Sequence, residues 1–448
     1  MKLLAGIGVL LLVLVEASAA AQSRSVSFGG AHNYRAGRHP TSVAVADLNG
    51  DRRLDLAVAN GGGTVSILLN RRRGRFPMKR EYRVGRDPSS VAIGDLNGDR
   101  KPDLAVANSF DSTVSVLLNL GGARFGPRHD YATGAGTYGV VIRDLNGDGK
   151  PDLATANLGD DSSDDSTPTV SLLPGSGDGS FGAHVEYPIP GQPLALAAGD
   201  LNGDGRPDLV AADSPKVSVF LNSGDGLQAP RSYRSSGDAV AIADMNGDRK
   251  PDLVTAGDGV SVLLNRGDGS FARTQRYETG YEQGLAVGDL NRDRRPDVVL
   301  GEPIAPNQED CDTGDGISVT VLANKGHGKL GGPLEFSTDY EGCDPTPALG
   351  DVSGDSLPDI VTANNYSGTV SVLTNAHGHC AVPLMTDYLV SLAAARHLLG
   401  RAACRVGIVR YAYSKHVPKG FVISEHPGWG AVLRQGAKVN LMVSRGQR

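Results

Sequence analysis

Short runs of alternating apolar and polar or small residues recur throughout residues 28–375, and glycine, aspartate or asparagine bounds each run. The segments 91–94, 104–108 and 113–119 are typical. Alternation with a period of two residues, together with many valines, predicts β-strands, and no stretch of this region shows the 3.6-residue period of an amphipathic helix. We therefore expect an all-β region of short strands joined by tight turns.

One acidic segment repeats within this pattern. Residues 47–55 read DLNGDRRLD, and a similar segment starts at residues 95, 144, 200, 244, 289 and 351. Seven units with four strands each predict a seven-bladed β-propeller, because radial repetition leaves few strand edges exposed. The strand that begins near Phe28 precedes the first acidic segment, and we expect it to pair with the last strand, 369–375, and so close the ring.

The composition fits strands and turns. Of the 448 residues 60 are glycine, 40% are hydrophobic and only 5% are aromatic. This hydrophobic content excludes a disordered chain, and the glycines follow no three-residue period, which excludes collagen. We expect the glycines to occupy turns that need a positive φ, and the small side chains to fill strands that converge on a central channel.

The acidic segments place oxygen-bearing side chains at their first, third, fifth and ninth positions. Three carboxylates in so short a loop would repel one another without a cation between them, and an all-oxygen donor set selects Ca²⁺. We therefore predict calcium as a structural cofactor. The predicted ligands are Asp47, Asn49, Asp51, Asp55, Asp95, Asn97, Asp99, Asp103, Asp144, Asn146, Asp148, Asp152, Asp200, Asn202, Asp204, Asp208, Asp244, Asn246, Asp248, Asp252, Asp289, Asn291, Asp293, Asp297, Asp351, Ser353, Asp355 and Asp359.

Two of the seven loops differ from the others. Loop six carries Arg292 and Arg294 at its fourth and sixth positions, and loop seven has Ser353 as a weaker ligand. We expect these two loops to bind calcium least well or to stay empty.

In this strand–loop–strand context, the acidic segments resemble the FG-GAP repeats of integrin α-subunit propellers and their bacterial relatives. The resemblance covers residues 28–375 and all seven units. It implies a calcium-binding propeller that acts as a binding or adhesion module rather than as an enzyme, and no catalytic constellation is visible in the sequence.

The ends of the strands opposite the acidic loops form the predicted ligand face. Exposed aromatic side chains there could stack on sugar rings or anchor a peptide, and the candidates are Phe110, Tyr138, Tyr281 and Tyr366. Cys311 and Cys343 lie in turns of neighbouring units on this face, so we expect a disulfide between them.

The chain beyond residue 376 has a different composition. Residues 391–399 predict a short helix, and strand-like segments follow at 405–413, 421–425 and 438–444, so we expect a small α+β unit. Ten basic and two acidic residues give 376–448 a net charge of +8, whereas residues 22–375 carry −14. The 21 loop aspartates account for the acidity of that central region, and seven Ca²⁺ ions would neutralise it.

The motif elements Val417-Pro-Lys-Gly420, Val422-Ile-Ser424 and Val443-Ser444 resemble a PASTA domain. That family occurs on bacterial penicillin-binding proteins and receptor kinases, and it implies contact with peptidoglycan or an anionic wall polymer. Trp429 is the candidate for stacking on a wall sugar, and Cys380 and Cys404, which flank the helix, are expected to form a disulfide.

Residues 1–21 combine Lys2, an apolar run and a small-residue segment, which predicts a cleaved secretory signal rather than a membrane span. We therefore expect three parts: the signal 1–21, the propeller 22–376 and the PASTA-like unit 377–448.

The predicted protein is a secreted, monomeric, cell-wall-associated bacterial module that binds calcium. Its partner would be a wall glycan, a surface carbohydrate or a protein, with no nucleic acid and no stable membrane insertion. The alternatives are a lectin-type propeller that binds carbohydrate, and a scaffold of a polysaccharide-degrading enzyme. Convergent acid and base residues away from the acidic loops would favour the enzyme.

Overall fold

The computed structural model describes residues 26–447, apart from 160–166, 225, 236, 273–274, 282–283, 303–317, 339–345, 378, 383–389, 402–403, 429–431 and 435–436. The predicted signal, Cys311, Cys343 and Trp429 therefore lie outside the described residues. So do the side chains of Tyr281 and Cys380.

The described residues between 26 and 381 form strands and turns. The strands are β1 His32–Arg35, β2 Pro40–Ala46, β3 Asp55–Asn60, β4 Thr64–Leu69, β5 Met78–Arg83, β6 Pro88–Gly94, β7 Asp103–Asn108, β8 Thr113–Leu117, β9 His129–Ala132, β10 Thr137–Arg143, β11 Asp152–Asn157, β12 Thr169–Leu173, β13 Val185–Pro188 and β14 Ala195–Gly199. They continue with β15 Asp208–Asp213, β16 Lys216–Phe220, β17 Arg231–Arg234, β18 Ala239–Ala243, β19 Asp252–Leu263, β20 Gln275–Tyr281, β21 Gly284–Gly288, β22 Asp297–Glu302, β23 Ser318–Asn324, β24 Leu330–Ser337, β25 Thr346–Gly350, β26 Asp359–Asn364, β27 Thr369–Leu373 and β28 His379–Ala381.

The strands β1 to β27 form repeated antiparallel sheets. In the described part of the chain, six of these sheets have four strands, and one, β18–β19–β20, has three. The long strand β19 occupies two strand positions, because its first half pairs with β18 and its second half with β20. The protein is therefore all-β in this region, as the alternating pattern predicts.

One sheet joins the two ends of this region. Strand β1 pairs with β27, with Tyr34 opposite Val370, and Phe28 makes an isolated bridge to Asn375. The predicted pairing of the first strand with the last is confirmed. The first strand of each sheet also contacts the first strand of the next, and β25 contacts β2.

The core lies between neighbouring sheets. One cluster combines Ile67 of the sheet β2–β5 with Leu104 of the sheet β6–β9, and a second combines Val58 of the first sheet with Val361 of β26. In β3 and β7, which are second strands, every residue is buried. Each such strand is therefore enclosed on both faces, which explains its small, apolar sequence.

Tyrosine and phenylalanine link adjacent sheets along the outer strands. Tyr34 and Phe76 pack edge to face with 5.3 Å between ring centroids, and Tyr82 packs in the same way on Phe125. Edge-to-face pairs add stabilisation beyond the area that they bury. The repeated Phe and Tyr of the sequence are therefore contacts between sheets.

The C-terminal unit contains one helix and four further strands. They are α1 Leu392–Arg401, β29 Arg405–Ala412, β30 Val422–His426, β31 Val432–Arg434 and β32 Lys438–Ser444. Strand β32 lies between β29, to which it is parallel, and β30, to which it is antiparallel. The helix and the three long strands were predicted, whereas the short β28–β31 pair was not.

Local chemistry explains where the helix starts. The Oγ of Ser391 accepts a hydrogen bond from the backbone N–H of Ala394 at 3.2 Å, as an N-cap residue does. Ala395 and Leu399 are buried against the sheet of this unit. In the described part of the chain, no helix has the length and apolar character needed to cross a membrane.

Candidate functional site

The acidic loops connect the first and second strands of the repeated sheets, and all seven lie within the described residues. In the first loop, Oδ1 of Asp47 accepts hydrogen bonds from the backbone N–H groups of Gly50 and Asp51 at 2.8 and 3.0 Å. Its Oδ2 accepts one from Arg52 at 2.7 Å. The first-position carboxylate therefore holds the loop closed through backbone amides.

The ninth-position aspartate of each loop is fully buried. In the second loop, Oδ2 of Asp103 accepts the N–H of Leu96 at 2.9 Å, and Oδ1 accepts the N–H of Asn119 at 2.7 Å. The carboxylate thus ties the loop to the end of the third strand of its own sheet. Burial removes it from water, which raises its pKa in spite of these hydrogen bonds.

Burial raises the pKa of the ninth-position aspartate more strongly in other loops. Burial raises the pKa of Asp55 and of Asp252 to about 6, and that of Asp297 and of Asp359 to about 7. Two of these four residues belong to loops six and seven, where we expect calcium to bind least well.

An asparagine at the end of the third strand, or just after it, completes the link between neighbouring sheets. This role was not predicted from the sequence. The Nδ2 of Asn119 donates to the carbonyl of Leu48 in the preceding sheet at 2.8 Å. Asn222 and Asn324 make the same contact to Leu145 and Met245. The sequence feature that could have indicated this role is the recurrence of asparagine at this position of the repeat. The residues that share it are Asn70, Asn119, Asn222, Asn265, Asn324 and Asn375.

The loop carboxylates repel one another as the sequence predicts. The charges of Asp51 and Asp47 both raise the pKa of Asp55, after the larger effect of burial. The described residues nevertheless contain no group of three or more His, Cys, Asp or Glu side chains arranged to hold a metal ion. Asp51 instead pairs with Arg53 at 2.6 Å, so its carboxylate is directed to a cation of the chain itself.

Three of the aromatic residues predicted to bind a sugar or peptide lie within the described residues. Their side chains are exposed at the end of the sheets opposite the acidic loops. Phe110 is 68% exposed, Tyr366 61% and Tyr138 40%. The guanidinium of Arg86 lies 4.1 Å from the centroid of the Phe110 ring, in a cation–π contact. The rings of Phe110 and Tyr366 belong to the turns after β7 and β26, whereas Tyr138 lies in β10.

Of these residues, Tyr138 lines a described cavity. An opening of about 340 Å³ lies where the first strands of the sheets begin, and small and hydroxyl side chains line much of it. Neighbouring strands are joined there, because Oγ1 of Thr41 donates to the carbonyl of Pro88 at 2.8 Å and Oγ1 of Thr346 donates to that of Thr41 at 2.9 Å. Asp238 adds one carboxylate to the lining.

Asp213 departs from the pattern at the end of the second strands. The equivalent Asn60 donates from Nδ2 to Oγ of Ser66 and to Oγ1 of Thr64, both at 3.1 Å. Asp213 has no such donor; its Oδ2 accepts from Ser218 at 3.0 Å, and its buried Oδ1 has no hydrogen-bond partner among the described residues. Burial raises the pKa of Asp213 from 3.8 to about 6.

We expect Asp213→Asn to raise the free energy of unfolding by about 1–3 kcal/mol at pH 7 and to leave it unchanged near pH 4. The folded protein keeps a proton on Asp213 that the unfolded chain releases between pH 4 and 6, so the stability of the native protein falls as the pH rises through that window. Urea unfolding at the two pH values measures the difference. The reverse change, Asn60→Asp, should lower stability at pH 7, and a pH-independent effect of Asp213→Asn would contradict the assignment.

The C-terminal unit has its own exposed surface. Tyr411 and Tyr413 are each 52% exposed at the end of β29, and a pocket of about 290 Å³ on the same sheet is lined by residues that include Arg410 and His426. Trp429 was predicted from the sequence as the residue that stacks on a wall sugar, whereas these two tyrosines were not predicted. Cys404 is buried and is not a free thiol. Its pairing with Cys380 stays a prediction, as does the pair Cys311–Cys343.

Comparison with solved structures shows that the fold is shared with propeller proteins. A structure of BBS1N in complex with ARL6DN, soaked with mercury, is 14% identical with a TM-score of 0.52, and covers 78% of this chain and 96% of its own. The corresponding lead-soaked structure is 15% identical with a TM-score of 0.51 and the same coverage. An Agrocybe aegerita lectin that recognises non-reducing terminal N-acetylglucosamine is 19% identical with a TM-score of 0.45, and covers 75% of this chain and 86% of its own.

No curated protein matches the chain. The family model described as FG-GAP-like repeat matches residues 47–106, 95–155, 158–211, 200–255 and 244–300, which together make up more than half of the chain. Repeats of this kind typically form non-catalytic binding or scaffold modules, and no enzyme family is indicated. The chain therefore belongs to the family of proteins built from FG-GAP-like repeats.

Proposed function

We propose that this chain is a secreted, calcium-binding, seven-bladed propeller that presents a binding face, and that its C-terminal unit contacts the bacterial cell wall. The proposal rests on the difference between the two ends of the sheets. One end carries the repeated acidic loops, and the other carries a cavity and exposed aromatic rings.

The circular order of contacts supports the propeller. The first strands follow one another from β2 to β25, and β25 returns to β2. If β19 counts as two strand positions, every sheet has four, and the pairing of β1 with β27 supplies the fourth strand of the last one. A ring closed in this way would leave few sheet edges for aggregation.

The chemistry of the acidic loops supports calcium. Each loop supplies three carboxylates and one amide or hydroxyl, and their mutual repulsion is the destabilising effect that a hard cation would relieve. In the first loop, Asp47, Asn49, Asp51 and Asp55 would hold the ion. Calcium would fix the loop and lower the electrostatic cost of the buried carboxylate; it would take no part in chemistry.

A carbohydrate-binding role is the second candidate for the cavity face. Tyr138 stands beside small hydroxyl side chains at the opening of about 340 Å³, and a ring next to hydroxyl groups suits the apolar face and the polar edge of a sugar. A glycan array probed with the full chain, with and without Ca²⁺, separates this role from protein binding. Binding to no glycan would exclude it.

The proposed contact between the C-terminal unit and the cell wall rests on the exposed Tyr411 and Tyr413 and on the net charge of +8 of residues 376–448. Aromatic rings can stack on the sugars of peptidoglycan, and the positive charge attracts anionic wall polymers. The succession of one helix and three longer strands, β29, β30 and β32, supports the resemblance to a PASTA domain, which implies a helix followed by three strands.

We expect purified peptidoglycan to retain the full chain when sedimented and to lose most of it after removal of residues 377–448. Added salt should weaken retention, because screening shortens the reach of the basic surface. The matched control is the full chain with Phe110→Ala and Tyr366→Ala, which leaves the tail intact and should be retained as well as the native protein. Equal retention of the full and the shortened chains would remove the tail from wall binding.

A further inference from the structure

A cluster of arginines occupies the turn between β4 and β5, at the end of the sheet that carries the first acidic loop. The turn reads RRRGR over residues 71–75, and its four arginines are exposed. Corresponding turns in other sheets read SGDGS at 176–180 and RGDGS at 266–270. The first turn therefore replaces a glycine–aspartate pair by two arginines and reverses the local charge.

These arginines line a cleft. The cleft measures about 990 Å³ and lies between the outer strand β1 and the turn. Its lining includes five arginines and a histidine and no acidic residue of the described chain. The basic residues are His32, Arg53, Arg71, Arg72, Arg73 and Arg75.

Little in the described part of the chain neutralises this charge. Arg53 pairs with Asp51 at 2.6 Å, and a guanidinium nitrogen of Arg71 lies 3.1 Å from the sulfur of Met78. No ion pair with a described residue forms at Arg72, Arg73 or Arg75. Like charges held in one cleft without partners repel one another, so the cluster disfavours the folded state unless an anion binds there.

The backbone holds the arginines in place. The N–H of Arg71 donates to the carbonyl of Arg75 at 2.9 Å, and the N–H of Gly74 donates to the carbonyl of Val352 in the neighbouring sheet at 2.8 Å. The hydroxyl of Tyr34 donates to the carbonyl of Gly74 at 2.8 Å. The backbone of the turn is thus fixed by its own hydrogen bonds and by the neighbouring sheet, so binding of a ligand would need to order only the arginine side chains.

Arg73 adopts a left-handed conformation with φ 54°. Such a φ is disfavoured for a residue with a side chain. At the corresponding position the turn at 120–124 has Gly122 with φ 63° and the turn at 325–329 has His327 with φ 56°, so the turn imposes this conformation on whichever residue stands there.

We propose that this cleft binds an anionic polysaccharide that carries sulfate or carboxylate groups on successive sugars. Guanidinium groups bind such oxyanions with paired hydrogen bonds, and several of them along a cleft match a chain with several charges better than one small ion. A single-stranded nucleic acid held by base stacking is disfavoured, because the benzene rings of the lining, Tyr34 and Phe76, are not exposed. Phe76 is buried against Tyr34, edge to face at 5.3 Å.

The site lies on the propeller at the end opposite the cavity lined by Tyr138, so it does not depend on the proposed function. The test measures binding of the full chain, in the presence of Ca²⁺, to dextran sulfate and to polygalacturonate of defined length. Neutral dextran and inorganic sulfate serve as comparison ligands. Two variants probe the cluster: R71S/R72G/R73D, which installs the sequence of residues 176–178, and Arg73→Gly, which relieves the backbone strain.

We expect one or both polymers to bind the native chain, and R71S/R72G/R73D to weaken that binding by at least about tenfold and to make its salt dependence shallower. Arg73→Gly should weaken binding while leaving the melting temperature unchanged or raised, which separates binding from folding. Lys325→Ala/Lys329→Ala, in the corresponding turn between β23 and β24, is the matched control and should bind like the native chain.

Three outcomes would overturn the proposal. Undiminished polymer binding by R71S/R72G/R73D would place the basic contact elsewhere, for example on the C-terminal unit. Equal losses in the triple variant and in the Lys325/Lys329 control would show a non-specific charge effect. Binding of inorganic sulfate with the same affinity as the polymers would reduce the cleft to an adventitious ion site.

Discussion

Replacing Asp103 by alanine is expected to lower the free energy of unfolding by about 3–5 kcal/mol, even when no calcium is present. The change removes the acceptor for two buried N–H groups, those of Leu96 and Asn119. Its effect should reach the preceding sheet, because Asn119 also donates to the carbonyl of Leu48. Relief of a buried charge offsets part of this loss, but two buried amides without an acceptor outweigh it.

Urea unfolding in EDTA measures this effect without interference from metal binding. The matched control is Asp99→Ala in the same loop, because the Asp99 carboxylate is exposed and pairs with Lys101 at 2.7 Å. An exposed pair of this kind contributes less than about 1 kcal/mol. If both variants lost equally little stability, the buried aspartate would have no structural role apart from the metal.

The order of the strands could be predicted from the sequence because one pattern is repeated. Alternation gives the strands, glycine and aspartate give the turns, and the additional strand between Phe28 and the first acidic segment gives the pairing of β1 with β27. The helix Leu392–Arg401 follows in the same way from its run of good helix formers. Each of these features depends on local sequence and on strand pairing alone.

The contacts between sheets could not be predicted, because they join residues that are distant along the chain. Asn119 and Leu48 are 71 positions apart, and Tyr82 and Phe125 are 43 apart. The sequence repeats showed that these residues recur, but a sequence pattern does not tell in which direction a side chain points. For the same reason, the sequence predicted the ninth-position aspartates only as metal ligands, whereas the structure shows them buried and accepting hydrogen bonds from backbone amides.

Some clusters of charged residues were predicted from the sequence, and others were not. The acidic loops were recognised as a set because they repeat, whereas Arg71–Arg75 was overlooked because it occurs once. The first turn differs from its equivalents by substitution rather than by length, so alignment of the repeats would have revealed it. Asp213 is a similar case, since it stands where Asn60 and Asn108 stand in other units.

Removal of calcium is expected to lower the melting temperature of the native chain by roughly 10–20 °C. One site occupied at a hundred times its dissociation constant stabilises the folded state by about 2.7 kcal/mol, and several sites in one cooperative ring add together. Calorimetry in EDTA, followed by addition of Ca²⁺, measures the loss and the recovery. Mg²⁺ should restore less, because it holds to six-coordinate geometry and gives up water reluctantly.

Variants in one sheet test whether the acidic loops are the sites. Asp148→Asn removes a fifth-position carboxylate and should lower the calcium stoichiometry by one, because a loop with one charge fewer loses much of its attraction for a divalent ion. Asp178→Asn, in the exposed glycine turn of the same sheet, should leave the stoichiometry unchanged, since that carboxylate lies outside the acidic loop and accepts hydrogen bonds from Ser180. A smaller loss of stoichiometry for Asp293→Asn than for Asp148→Asn would agree with weak binding in loop six. A melting temperature that does not respond to EDTA would exclude calcium from all seven loops, and their aspartates would then be explained by the backbone amides that they accept.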